Sequence, residues 1–359
     1  MAEKIMKNMP VLPVIIPSYE PDDRLPELLS KLKDSGLTPV VLVDDGSGPE
    51  CGHYFDEAEK DPEITVLRHD RNMGKGKALK TAFAYCLKAY PEMTGCITAD
   101  SDGQHTPDSI HACRQALLEH PDELILGVRD FGQEDVPEKS QFGNRLTIRI
   151  FRWLYRTEIS DTQTGLRGIP KRFMEDLLNV PGDRFEFETR MLTEAIEKKI
   201  GFREVPIATV YDSKENHSTH YKPFRDSMRI AKVFIGPFFR FLLSSLSSSV
   251  LDLLLFALFC RLFRGMPGYV ALATVSARVF SAVYNYLVNY YLVFRSNAGH
   301  THSAGRYVLL AALQMAASAL LVTAFVGLLR PSRELLVKIP VDAVLFLVSF
   351  VIQKRKVFK

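Results

Sequence analysis

A chain of 359 residues is longer than a single hydrophobic core usually organises, so we expect two domains. The net charge of only +3 argues against a general nucleic-acid-binding protein, because such proteins carry a strong basic excess. Five cysteines without a CxxC spacing argue against a zinc site or a disulfide framework and indicate a reducing environment.

The first half of the sequence, up to about residue 229, alternates short β-rich runs with amphipathic stretches. Pro10, Pro13 and Pro17 interrupt the first apolar run, which we interpret as a strand and not as a signal peptide. Predicted strands cover residues 14–16, 40–43, 64–67, 95–99 and 124–127, and helical patterns cover residues 25–32 and 77–89, with one more before the last strand. This alternation predicts an α/β domain over residues 1–220, with a mainly parallel sheet and helices on both faces.

The second half carries four apolar segments, at residues 241–260, 269–294, 307–329 and 335–352. They predict an all-α domain of four transmembrane helices over residues 241–359. An even number of crossings leaves both ends on one side, and the basic C-terminal run Lys354-Arg355-Lys356 favours the cytoplasm, although arginines in the opposite loops weaken this rule. Residues 221–240 mix basic and apolar side chains at helical spacing, which predicts an amphipathic juxtamembrane segment on the membrane surface; a charged linker helix is the alternative.

An acidic cluster, Asp100-Ser101-Asp102-Gly103-Gln104, follows the fourth predicted strand. Ligands of parallel α/β sheets bind at this end of the strands. Alternation along an extended segment would point Asp100, Asp102 and Gln104 in the same direction. Two carboxylates and an amide oxygen suit Mg²⁺ or Mn²⁺. The alternative is a polar loop closed by an Asx turn.

Three further turns contain groups that suit a nucleotide. Asp44 and Asp45 end the second strand, where a carboxylate accepts hydrogen bonds from a base or a ribose. Residues 72–77, with the sequence NMGKGK, open a helix whose N-terminal amides and lysines suit an anion. Pro17-Ser18-Tyr19-Glu20 ends the first strand. A simple turn is the alternative for each of them.

Arginines and neighbouring polar side chains are candidates for phosphate binding, because guanidinium groups bind phosphate through two hydrogen bonds. These candidates are Arg129, Ser140, Asn144, Arg145 and Arg167. A solvated charged face is the alternative for each arginine. Glu186 and Glu188 alternate with phenylalanines, which predicts that both glutamates share one face. For His217 and His220, just before the membrane half, the hypothesis is a diphosphate contact.

Six motifs occur in the order IIPSYE, VVLVDDGSG, NMGKGKALKTAF, TADSDGQH, DTQTGLRG and FEFETRML. Together they resemble family 2 glycosyltransferases of the GT-A fold, in the polyprenyl-phosphate (dolichyl-phosphate mannose synthase-like) branch, over residues 10–225. The membrane half resembles GtrA-like domains through ARVFSAVYNYLVNYYLVF and QKRKVF. The sequence departs from the synthase pattern at residues 136–145 and at residues 216–220, where NHSTH replaces a basic element.

The resemblance implies a nucleotide-sugar site, a metal site and a phosphate site. The implied nucleotide-sugar contacts are Pro17, Tyr19, Glu20, Asp44, Asp45, Asn72, Gly74, Lys75, Lys77, Asp100 and Ser101. The implied ligands of Mg²⁺ or Mn²⁺ are Asp100, Asp102 and Gln104. The implied catalytic residues are Asp102, Arg129, Arg145 and Arg167, and the implied acceptor contacts are Ser140, Asn144, Glu188 and His220.

These parts predict transfer of a hexosyl group from a UDP- or GDP-sugar to undecaprenyl or dolichyl phosphate in the bilayer. A lipid phosphate is already anionic, so we expect one inverting displacement without a general base, with Asp102 as a metal ligand. Two alternatives stay open. One is a processive polysaccharide synthase, whose (Q/R)xxRW element is formally matched by residues 149–153. The other is a flippase or transporter of lipid-linked sugars whose first half only binds. Homo-oligomers through the membrane domain are a further expectation.

Overall fold

The computed structural model describes residues 11–129, 138–208, 223–294, 296, 298–329 and 335–358. The chain divides into two compact units, Met1–Val233 and Phe234–Lys359. This division falls within residues 221–240, the segment that the sequence predicts as juxtamembrane.

A seven-stranded sheet forms the centre of the first unit, in the order β3-β2-β1-β4-β6-β5-β7. The strands are β1 Val14–Ser18, β2 Val40–Asp44, β3 Ile64–Arg68, β4 Gly95–Thr98, β5 Leu124–Arg129, β6 Arg167–Pro170 and β7 Phe202–Ile207. Strand β6 runs antiparallel to β4 and β5, and the remaining pairs are parallel. The prediction of a mainly parallel α/β sheet is confirmed, and β6 and β7 are additions to it.

Seven α-helices connect the described strands of this unit. They are α1 Arg24–Asp34, α2 Gly52–Ala58, α3 Lys75–Ala89, α4 Pro107–Glu119, α5 Glu138–Tyr155, α6 Lys171–Leu177 and α7 Glu186–Glu197. The spacing of the leucines explains α1, because Leu25, Leu28, Leu29 and Leu32 occupy one face and are all buried. Strands β1 and β2 are buried at every position, as expected for parallel strands that are covered on both faces.

The topology brings the candidate residues to one edge of the sheet. Strand β1 pairs in parallel with β2 on one side and with β4 on the other. These strands end at Ser18, Asp44 and Thr98, so the segments that follow them leave the sheet at the same edge. Ligands of open α/β sheets bind in the crevice at such an edge.

The second unit is helical in its described part. Helix α8, Pro223–Leu262, begins before the unit boundary and is followed by α9 Tyr269–Val288, α10 His300–Leu329 and α11 Leu335–Ile352. Among the described residues, three helical stretches are long and apolar enough to cross a membrane, namely Met228–Leu262, His300–Leu329 and Leu336–Val357. Helix α9, which contains Arg278 and Asn285, is not among them. The prediction of a helical region with apolar, membrane-spanning character is confirmed, and the number of crossings stays a prediction.

Polar side chains within these helices bind one another, as polar groups between membrane helices commonly do. Ser281 donates to Asp252 at 2.8 Å. Asn289, which is completely buried, donates to Gln353 at 3.3 Å. These contacts join α8 to α9, and the π-helical turn after α9 to the one after α11.

Candidate active site

Lys75 is the centre of the polar site at the sheet edge. Its ammonium lies 2.6 Å from Asp100 Oδ1 and 2.9 Å from Glu188 Oε1. Lys75 is the first residue of α3, Asp100 follows β4, and Glu188 lies in the first turn of α7. The structure therefore brings together three residues that the sequence selected from three separate motifs. The two carboxylates outweigh the effect of burial and raise the pKa of Lys75 above its usual value.

The second carboxylate oxygen of Asp100 faces Gly165 and His105. A Cβ at Gly165 would lie 2.2 Å from Asp100 Oδ2, so only glycine leaves room for the carboxylate. His105 Nε2 lies 3.4 Å from the same oxygen. Burial opposes the ionisation of Asp100, but Lys75 and His105 outweigh it and hold the pKa of Asp100 well below its usual range. Neither Gly165 nor His105 was predicted as a site residue, although His105 directly follows the acidic motif.

Asp102 lies in a turn and not in an extended segment. Gly103 adopts φ +74°, and the backbone N–H of Gln104 donates to Asp102 Oδ1 at 3.1 Å. The sequence predicts an extended segment in which Asp100, Asp102 and Gln104 point in the same direction. This premise is wrong, because the chain turns at residues 101–103. Burial and then the nearby charge of Asp100 raise the pKa of Asp102. Ser101 is half-buried in this turn.

The donor set around Asp100 and Asp102 fits a hard divalent cation. The charge of Asp100 disfavours the ionised form of Asp102, and a cation between the two would remove that repulsion. The described residues contain no group of three or more His, Cys, Asp or Glu side chains placed to hold a metal ion. A cation here would thus complete its shell from the Gln104 amide, water and substrate phosphate, as Mg²⁺ commonly does.

Asp45 holds the glycine-rich loop in place. Its carboxylate accepts from the backbone N–H of Met73 at 3.0 Å and of Gly74 at 2.7 Å. His69 Nδ1 lies 2.8 Å from Asp45 Oδ1, and its Nε2 lies 2.9 Å from the hydroxyl of Thr81. Asp45 is buried with these partners and positions the loop, and its direct contact with a nucleotide stays a prediction.

The remaining nucleotide candidates lie around this loop. Asp44 is buried and accepts from the backbone N–H of Ser47 at 2.8 Å, so it closes a turn. Asn72 Oδ1 accepts from Arg184 at 2.9 Å. Glu20 adopts φ +47°, and its hydrogen bond with the Tyr19 hydroxyl raises the pKa of Tyr19.

Packing against residues 183–184 fixes the start of α3. Gly74 has φ +104°, and a Cβ there would lie 2.5 Å from the carbonyl oxygen of Asp183. The backbone N–H of Lys77 donates to that carbonyl at 2.9 Å. Pro17 is buried within β1.

Two of the arginines predicted to bind phosphate have partners within the fold, and their role at a phosphate stays a prediction. Arg129 binds the completely buried Asp161 through two hydrogen bonds, of 2.6 and 3.0 Å. Arg167 is only 1% exposed on β6 and donates to the backbone carbonyls of Thr164 and Glu188 at 2.9 and 2.8 Å. The Arg167 guanidinium is enclosed because β6 lies between β4 and β5.

Asn144 is also used internally, and the other acceptor candidates are placed only in part. Asn144 is buried and donates to the carbonyl of Ser160 at 3.1 Å, while its Oδ1 accepts from the backbone N–H of Thr162 at 3.0 Å. It therefore holds the loop that precedes β6, and its contact with the acceptor stays a prediction. Arg145 is exposed on α5. His217 and His220 lie outside the described residues, as does the side chain of Ser140.

Glu186 and Glu188 begin a helix, so the prediction that they share a face is wrong. Two residues correspond to about 200° of rotation around an α-helix, which points the two side chains in nearly opposite directions. Glu188 reaches Lys75, and the intervening Phe187 is completely buried. Glu188 therefore belongs to the polar site and Glu186 does not contribute to the Lys75 contacts.

Two family models match this chain. Residues 14–178 match glycosyl transferase family 2, and residues 240–358 match the GtrA/DPMS transmembrane domain. The resemblance found in the motifs is confirmed by these matches. Both matched regions lie where the sequence predicts a catalytic domain and a membrane domain.

Several curated proteins are similar to the first half. The chain is 25% identical over 215 residues to the UDP-N-acetylglucosamine–dolichyl-phosphate N-acetylglucosaminyltransferase of Methanococcus voltae, covering 55% of this chain and 85% of that protein. It is 27% identical over 202 residues to the undecaprenyl-phosphate mannosyltransferase of Micrococcus luteus, covering 55% and 82%. It is 26% identical over 202 residues to the polyprenol monophosphomannose synthase of Mycolicibacterium smegmatis, covering 54% and 75%.

Proposed function

This chain belongs to glycosyl transferase family 2 through residues 14–178 and carries a GtrA/DPMS transmembrane domain, and we propose that it glycosylates a polyprenyl phosphate. The donor is a nucleoside diphosphate hexose, either a UDP-hexose or a GDP-hexose. The observation that carries this proposal is the presence of a charged site, Lys75 with Asp100 and Glu188, on the same chain as a membrane domain. The similar proteins named above act on dolichyl, undecaprenyl and polyprenol phosphates, which supports a lipid phosphate acceptor.

The residues around Lys75 supply the binding of the donor. Asp100 and Asp102, with the Gln104 amide, would hold Mg²⁺ or Mn²⁺, which when bound supplies charge neutralisation to the leaving diphosphate. Lys75 supplies a second positive charge at the same place, at the start of a helix whose geometry Gly74 fixes. Both effects stabilise negative charge that develops as the bond to the sugar breaks.

The acceptor needs no general base in this proposal. A phosphate monoester of a lipid is anionic near neutral pH, so its oxygen attacks the anomeric carbon directly and inverts the configuration there. The site residues then have to orient the two substrates, which contributes a large part of the rate. Arg145, exposed on α5, is the arginine that we assign to the acceptor phosphate.

The membrane domain fits a substrate that cannot leave the bilayer. We place the catalytic domain and the C-terminus on the cytoplasmic side, because the basic run Lys354-Arg355-Lys356 favours that side. We also propose that copies of the protein associate through the membrane domain.

The test uses purified full-length protein in detergent. UDP- and GDP-hexoses are incubated separately with undecaprenyl or dolichyl phosphate and Mn²⁺, and the extracted lipids are analysed by mass spectrometry. One hexose added to one lipid phosphate is expected, and Asp102→Asn is expected to lose most of this product. A polymeric product would favour a processive synthase. Absence of product with every donor would contradict the proposal and favour a protein that only transports lipid-linked sugars.

A further inference from the structure

We propose that Lys75 competes with the divalent cation for Asp100, so that the cation binds tightly only together with a nucleoside diphosphate. The inference rests on the proposed function in one respect, because it takes Asp100 as a metal ligand. In this role Lys75 couples the binding of the cation to the binding of the nucleotide, in addition to contacting the donor.

Both carboxylate oxygens of Asp100 already face a basic side chain. The carboxylate packs against Gly165, where a Cβ would come within 2.2 Å of Oδ2 and 2.6 Å of Oδ1, and Oδ2 faces His105 Nε2 at 3.4 Å. Lys75 Nζ lies 2.6 Å from Oδ1, a distance typical of a charge-assisted hydrogen bond. The ammonium thus occupies the carboxylate that a cation bound to Asp100 would need.

The backbone of Lys75 cannot move away to resolve this competition. Gly74 packs against Asp183 and Arg184, and a Cβ at Gly76 would lie 2.5 Å from Phe187 Cβ. The carboxylate of Asp45 also holds the N–H of Gly74 at 2.7 Å. With the residues on both sides fixed, the ammonium can leave Asp100 only by rotation of the lysine side chain.

The oxygens of a nucleoside diphosphate provide the new partner to which the lysine side chain moves. Without it, an ammonium that left Asp100 would keep Glu188 as its carboxylate partner, and it would face the doubly charged cation on Asp100. Diphosphate oxygens add negative charge beside both cations and accept hydrogen bonds from the ammonium. The nucleotide should therefore strengthen cation binding, and the cation should strengthen nucleotide binding by the same factor.

The experiment measures binding of Mn²⁺ to the full-length protein in detergent, from the electron paramagnetic resonance signal of free Mn²⁺. Wild type is compared with Lys75→Met and Lys75→Gln, with no nucleotide and then with saturating UDP or, separately, GDP. We expect both variants to bind Mn²⁺ about tenfold more tightly than wild type without nucleotide, a typical size for coupling between sites. The nucleotide should then strengthen Mn²⁺ binding in wild type by a larger factor than in either variant.

Lys88→Met is the matched control, because Lys88 is an exposed residue in the last turn of the same helix and its loss changes the net charge equally. It should bind Mn²⁺ as wild type does. Lys75→Gln keeps a hydrogen-bond donor beside Asp100, so it serves if Lys75→Met does not fold. Neutral variants at Lys75 that bind Mn²⁺ no more tightly than wild type would overturn the inference.

Formation of the glycolipid by wild type, measured in parallel, separates this inference from the proposed function. If wild type forms product but the Lys75 variants bind Mn²⁺ no more tightly than wild type, the competition is contradicted and the transferase proposal is left intact. A gain in affinity without any lipid product supports the competition and contradicts the proposed acceptor.

Discussion

Replacing Gly165 by alanine should displace the carboxylate of Asp100. The new Cβ would lie 2.2 Å from Oδ2, whereas ordinary contacts of a Cβ begin at 3.4 Å. The carboxylate must therefore shift by about 1 Å, and such a displacement in an active site costs up to about 10²-fold in rate. Because Oδ1 belongs to the same rigid group, its 2.6 Å contact with Lys75 is broken as well.

The assay is steady-state transfer to polyprenyl phosphate, with the folded state monitored by circular dichroism. Gly52→Ala is the control, because nothing lies within 4 Å of a Cβ at that position. If Gly165 acts through Asp100, the alanine should have little further effect in an Asp100→Ala background, as for any two residues that act through one contact. A folded Gly165→Ala protein with wild-type activity would refute this reasoning.

Three further predictions concern positioning and stability. His69→Phe removes the ring contact with Asp45, so the free energy of unfolding, measured by chemical denaturation, should fall by about 1–3 kcal/mol. The KM for the donor should rise, and an unchanged KM would contradict the role of Asp45 in the loop. Asp161→Asn removes the buried carboxylate that binds Arg129 and should destabilise the protein by about 3 kcal/mol, whereas a change within experimental error would show that the pair is dispensable. Asn289→Leu should cost about 1 kcal/mol of stability in detergent, measured by thermal denaturation, and an unchanged Tm would argue against its hydrogen bonds as helix contacts.

The parts of the fold that depend on local sequence were predictable. Strands β1 and β2 are continuous apolar runs, and α1 has leucines at helical spacing. Their burial follows directly from these patterns. The turn at the end of β2 was equally predictable, because acidic residues directly follow an apolar run, whereas the segment after β4 was predicted as extended and turns at residues 101–103.

Strand β6 could not be predicted in the same way. It is only four residues long, and its partners β4 and β5 come from earlier parts of the chain. It begins with Arg167, and arginine is among the residues that are least often fully buried. The arginine was therefore interpreted as a phosphate ligand, whereas pairing with β4 and β5 encloses it.

The site shows the same division between local and tertiary information. The positions of Asp100 and Lys75 relative to β4 and α3 are local and were predicted. Their mutual contact and the approach of Gly165 to Asp100 join segments far apart in sequence. A Thr-Gly pair in a loop indicates a turn, but it does not indicate which carboxylate lies against the glycine.

The most direct test of the account compares two acceptors, polyprenyl phosphate and the corresponding free polyprenol, with the same donor and Mn²⁺. The account predicts transfer to the phosphate only, because no residue is required to deprotonate it, and a product whose new anomeric configuration is opposite to that of the donor in nuclear magnetic resonance spectra. Glycosylation of the free alcohol, or retention of the donor configuration, would contradict the central claim.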